Sequence, residues 1–129
     1  SGGDGDPNLG PPGPAAARAL AFAEAQMGKT YVYAAAGPDH FDCSGLTMAA
    51  YRSAGVSLPH YSGAQYAALP HVPLDHVMPG DLIFWGAGAS VHVAFYYGNA
   101  RILESGGSGH GVQVGPIWGH PMGAARILH

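Results

Sequence analysis

The apolar pattern of the chain changes period at Pro79-Gly80-Asp81, and that change limits the possible folds more than any other feature. Upstream, the spacing is helical. Ala16, Ala19, Leu20, Ala23 and Met27 recur on one face of Ala15–Gly28, between Pro14 at the start and Gly28 at the end. Leu46, Ala49, Ala50 and Ser53 form a second face within Phe41–Gly55, where Asp42 is placed to cap the helix start and Gly55 to end it. A short third helix is predicted over Ser62–Leu69, and Lys29–Ala36 is β-prone around Tyr31-Val32-Tyr33 until Gly37-Pro38 breaks it. Downstream of Asp81 the period is that of strands. Leu82-Ile83-Phe84-Trp85 reads as a buried strand and Val91–Tyr97 alternates. Arg101–Glu104 follows a Gly98-Asn99 turn, and Gly111–Val114 and Ala124–Leu128 supply two more strands. Helices first and strands second predict an α+β fold, a small antiparallel sheet with helices on one side.

The 129 residues suit one domain, and 47% apolar content is enough for a core. Residues 15–129 read as that domain. Residues 1–14, SGGDGDPNLGPPGP, are Gly/Pro-rich and read as a flexible linker or tail, with an arm lying over the domain as the alternative. The five basic residues, Arg18, Lys29, Arg52, Arg101 and Arg126, are too scattered to form a basic patch, so no nucleic-acid partner is expected. No apolar run approaches the ~20 residues of a membrane span, and no membrane insertion is expected. A single cysteine excludes an internal disulfide framework.

That cysteine lies in Phe41-Asp42-Cys43-Ser44-Gly45-Leu46, directly after the predicted N-cap. In the first turn of a helix, unbonded N–H groups and the helix dipole favour a thiolate, but by only about 0.3–1 kcal/mol, so a nucleophile there needs a histidine partner. A buried apolar cysteine is the competing reading. Among eight histidines, His92 alone lies within a strand run, Val91-His92-Val93-Ala94-Phe95, where a general base is held rigidly. It too could be a core histidine with its hydrogen bond satisfied. Glu104 could orient it. Direct cross-strand pairing of His92 with Glu104 requires a three-residue loop at Tyr97-Gly98-Asn99. A two-residue Gly98-Asn99 turn puts Glu104 on the opposite face. The arrangement therefore predicts an odd-length loop or a bulge. The histidines show no helical zinc spacing, since His71 and His76 are five apart.

From about Ala15 to Leu128 the chain resembles the NlpC/P60 cysteine peptidases, and within them the mycobacterial Rip-type peptidoglycan endopeptidases. The resemblance rests on four motifs in order: Phe41-Asp42-Cys43-Ser44-Gly45-Leu46, Leu58-Pro59-His60-Tyr61-Ser62-Gly63-Ala64-Gln65, Pro79-Gly80-Asp81-Leu82-Ile83-Phe84 and Val91-His92-Val93-Ala94-Phe95-Tyr96. It implies a papain-like core with the nucleophile at a helix N-terminus against the sheet that carries the base. It also implies an endopeptidase that cuts peptidoglycan stem peptides between D-glutamate and meso-diaminopimelate during cell-wall remodelling. Carried over by residue, Cys43 is the nucleophile, His92 the base and acid, and Glu104 its orienter. Tyr31 and the Cys43 N–H lie near the oxyanion, and Asp42, Ser44, His60 and Ser62 line the substrate groove. No metal or cofactor is implied, and a monomer secreted to the bacterial cell wall, a periplasm-like compartment, is expected.

One departure stands out. Relatives commonly carry Trp-Gly-Gly where this chain has Tyr33-Ala34-Ala35. If glycine serves there for positive φ, alanine costs about 1–2 kcal/mol. The alternative reading is therefore a peptidoglycan-binding NlpC/P60 module with weak or no hydrolytic activity.

Overall fold

A computed structural model describes residues 5–106 and 111–129. Three helices, α1 (Ala15–Ala25), α2 (Cys43–Ser53) and α3 (Ser62–Ala68), precede most of the sheet. The strands are β1 (His71–Val72), β2 (Leu82–Trp85), β3 (His92–Gly98), β4 (Arg101–Ser105), β5 (Val112–Pro116) and β6 (Gly123–Ala125). They form one sheet in the order β1-β6-β2-β3-β4-β5, every neighbouring pair antiparallel. The expected α+β architecture is thus present. No described helix is long and apolar enough to cross a membrane.

The helices pack on one face of the sheet. Ala15, Ala19 and Ala23 of α1 and Leu46, Ala50 and Tyr51 of α2 meet Leu82, Phe84, Val93, Phe95 and Leu103. Alanine at every fourth position of α1 lets the two helices approach closely. The opposite face is also buried. Ile83, Trp85, Ala94, Ile102 and Ala124 lie under Leu9, Leu74, Val77, Ile117 and Trp118. Irregular segments and a short 3-10 turn at Leu74–His76, not α-helices, cover this side. Burial on both faces explains why Leu82–Trp85 is apolar without alternation.

Several local expectations are corrected. Lys29–Ala36 forms no strand; Thr30 and Ala36 make only isolated bridges, to His40 and Gly111 and to Phe41. The intervening chain turns at Val32–Ala35, with Ala34 at φ +65°. Ser53 is exposed and Ala54 is buried in its place. Met27 lies beyond the end of α1 and is exposed. The pair β1–β6 closes the sheet edge with a two-residue strand too short to show periodicity.

Residues 5–14 run along the fold. The Asp6 N–H donates to the His71 carbonyl (3.0 Å) and the Gly13 N–H to that of Ile127 (3.0 Å). Arg126 donates to the carbonyls of Gly10 (3.0 Å) and His76 (2.8 Å) and to the Asp81 carboxylate (2.8 Å). Asp81 and Arg126 are both buried. The Pro-Gly-Asp motif therefore builds the fold. Asp81 holds the arginine that ties in the amino-terminal segment, and the Gly80 carbonyl accepts from the Tyr51 hydroxyl at 2.7 Å. Gly80 has φ +96°, and a Cβ there would lie 2.5 Å from that of Ala16.

Candidate active site

The site grows from the start of α2. Asp42 is the N-cap; its Oδ1 accepts from the Gly45 N–H at 2.5 Å and its Oδ2 from the Ala34 N–H at 2.9 Å. One carboxylate therefore caps the helix and fastens the 32–35 turn against it. The Asp42 N–H donates back to the Ala35 carbonyl at 2.8 Å. A Cβ on Gly45 would lie 2.0 Å from that same oxygen, so this close approach requires glycine. Gln65 of α3, fully buried, donates to the Ser44 and Pro59 carbonyls and accepts from Thr47, locking α3 to the same helix turn. Cys43 is thus the first residue of a doubly braced helix. Its N–H has no helical carbonyl to bond.

His92 begins β3 and its ring is buried. Its Nε2 lies 2.8 Å from Oε1 of the fully buried Glu104 on β4. The pairing is not the direct one. Phe95 faces Leu103 and Tyr96 faces Ile102, so Glu104 sits opposite Ala94, diagonal to His92 and on the same face. The expected bulge is present, with Tyr97 unpaired between Tyr96 and Gly98. The turn is two residues, Asn99-Ala100, at φ +55° and +59°, one position later than expected. Without the bulge, this turn would put Glu104 on the other face.

Burial alone would lower the basicity of His92. Hydrogen bonds to Cys43 and Glu104, and the negative charge of both, outweigh it and raise the pKa from 6.5 to about 9. Since Nε2 serves Glu104, Nδ1 is the atom left for the sulfur. Trp118 donates from Nε1 to Glu104 Oε1 at 3.0 Å and stacks on Trp85 with centroids 4.6 Å apart. No local pattern in the sequence marks that role.

A cleft of about 390 Å³ opens above Cys43, walled by Tyr31, Tyr33, Ala34, Asp42, Ser44, Tyr61, Ser62, Gly63, Ser90 and Val91. The Tyr31 pKa is raised by burial and then by the charges of Cys43, Asp42 and Tyr33. Asp42, Ser44 and Ser62 border the cleft, but their polar groups serve the fold. Ser44 contacts Asp42 (3.5 Å), and the Ser62 hydroxyl donates to the Ala89 carbonyl (2.5 Å). His60 stands behind the wall, with Nε2 3.2 Å from Asp42 Oδ1. A roomier cavity of about 550 Å³ lies between α1 and α2, lined by Phe22, Lys29, Phe41 and Arg52, and includes neither Cys43 nor His92.

A helix-end cysteine packed on an antiparallel sheet that carries a carboxylate-bound histidine is the papain-like arrangement. Within that class, residues 28–127 match the NlpC/P60 family, and the chain belongs to it. Peptidoglycan endopeptidase RipB of Mycobacterium tuberculosis is 48% identical over 77 residues, covering 60% of this chain; the aligned part is 32% of RipB, so the chain spans about a third of that curated relative's length. The solved P60 domain of an M. avium subspecies paratuberculosis antigen superposes with a TM-score of 0.83 at 35% identity, covering 89% of this chain and 96% of that one. RipD of M. tuberculosis, described as a non-catalytic NlpC/p60 domain protein adapted to peptidoglycan binding, superposes with a TM-score of 0.80 at 32% identity, covering 88% and 98%.

Proposed function

We propose that this domain hydrolyses peptidoglycan stem peptides at the bond between D-glutamate and meso-diaminopimelate, in the cell wall outside the cytoplasm. The observation that carries the reading is the buried His92–Glu104 contact of 2.8 Å beside Cys43. The Cys43 sulfur attacks the scissile carbonyl carbon. The developing oxyanion takes hydrogen bonds from the Cys43 N–H and the Tyr31 hydroxyl. The Nδ1 proton of His92 passes to the leaving amine as the C–N bond breaks and the thioester forms. A water then gives its proton to His92, attacks the thioester and releases the acid and the free sulfur. Glu104 holds the imidazole in register throughout, as the third member of a triad does.

A second reading is a binding module without turnover. The likeness to RipD supports it, as does the strain of Ala34 in the cleft wall. Cysteine, histidine and glutamate side chains standing together favour hydrolysis. The test is digestion of purified cell walls and of soluble stem peptides, with mass spectrometry of newly freed diaminopimelate amino groups. Products are expected from the wild-type protein and none from Cys43→Ala. Equal product from both would refute the catalytic reading, and retention on sacculi without any product would establish the second.

A further inference from the structure

The most exposed large apolar side chains of the described residues gather at one place. Tyr33 is 80% exposed, Tyr61 70% and Val91 66%, and all three line the cleft above Cys43. They come from three separate segments: the 32–35 turn, the start of α3 and the approach to β3. Exposed apolar side chains scattered singly need no explanation, but three converging on the mouth of one cleft mark a contact surface. Among the described residues the cleft wall holds no lysine or arginine, and the one carboxylate among them, Asp42, is occupied by the Gly45 and Ala34 N–H groups and by His60. This rim therefore suits an uncharged ligand with a flat apolar face and polar edges. Tyrosine supplies the matching surface, a ring face with a hydroxyl at its edge, and loses little rotamer freedom on binding.

We infer that Tyr33 and Tyr61 grip a sugar ring of the glycan strand, so that the domain prefers stem peptides still attached to their saccharide. This rests on the reading above for the identity of the substrate. A pyranose ring presents C–H groups on its faces and hydroxyl or N-acetyl groups on its edges, as the rim requires. The scale also fits. An alanine and a γ-linked glutamate, about 9–10 Å of extended chain, separate the sugar's lactyl group from the bond between glutamate and diaminopimelate. A peptide with its carbonyl at Cys43 thus carries its sugar to the edge of the same cleft.

The experiment uses the Cys43→Ala protein, which binds without turnover, and titrates two probes: a disaccharide-tripeptide and the same tripeptide without sugar. The expected result is at least fivefold tighter binding of the saccharide-bearing probe. Tyr33→Ala and Tyr61→Ala, each made in that background, are expected to weaken it about fivefold and to weaken the free tripeptide less. Equal affinity for the two probes overturns the inference, as does a preference that survives both substitutions or failure of the saccharide-bearing probe to bind. Cleavage of the free tripeptide by the wild-type protein is read separately. If it is cut while the binding preference is absent, the proposed reaction stands and the glycan contact falls.

Discussion

Replacing Ala34 and Ala35 by glycine, one at a time, tests whether backbone strain at the cleft wall is real and where it sits. Ala34 has φ +65°, whereas Ala35 is not among the residues with positive φ. Removing the Ala34 methyl relieves about 1–2 kcal/mol of left-handed strain. Glycine also frees the unfolded chain, at a cost of about 0.4–1 kcal/mol. The net gain for Ala34→Gly is then about 0.8 kcal/mol, or about 3 °C in Tm for a domain of this size. Ala35→Gly carries the entropic cost alone and lowers Tm by about 2–4 °C. Scanning calorimetry of the three proteins at one pH and scan rate reads both effects. Because Ala34 lines the cleft and its N–H holds Asp42, its relief also reaches the helix that begins with Cys43. The hydrolysis rate on cell-wall fragments is expected to rise with Ala34→Gly and not with Ala35→Gly. An Ala35→Gly protein stabilised as much as Ala34→Gly, or an Ala34→Gly protein that melts lower than wild type, would refute the strain argument.

Other outcomes follow from the same geometry. His92 is protonated more readily folded than unfolded, so its contribution to stability is complete below about pH 6.5 and is lost as pH rises towards about 9. Urea unfolding across that range should show the decline, and hydrolysis should lose activity along an alkaline limb near pH 9; a limb at or below pH 7 would contradict it. Trp118→Phe keeps an aromatic ring against Trp85 but removes the N–H donor from Glu104. The carboxylate left with more charge for His92 should move that limb upward while kcat falls, and an unchanged pH profile would deny Trp118 a part in the site. Asp81→Asn strips the buried Arg126 of its counter-charge and should cost about 3–5 kcal/mol. Denaturation by urea checks this, and a loss below 1 kcal/mol would show that the Arg126 cluster is not a structural anchor.

Legibility in the sequence followed the range of the forces involved. The α2 start could be read because capping is local: Asp42 and Gly45 are three residues apart, and the helix geometry brings the carboxylate to that N–H. The α3 helix and β2 were legible from short-range spacing and an unbroken apolar run. The Tyr31–Tyr33 stretch misled because β-prone side chains there serve a cleft wall, and the backbone is pulled into a turn by Asp42. Ser53 and Ala54 exchanged places because the face of a helix near its end is set by what packs on it.

The sequence by itself determined the order of helices and strands, the capped helix that begins with Cys43, and the placement of His92 in a strand, because each follows from contacts within a few residues. Only the tertiary structure decided that Glu104 reaches His92 diagonally through a bulge and that Trp118 arrives from the carboxy-terminal segment to bond it. It also decided that residues 5–14 lie along the fold beside Arg126. Those contacts join residues far apart along the chain. They depend on register and on how both faces of the sheet are covered, and no local pattern carries that information.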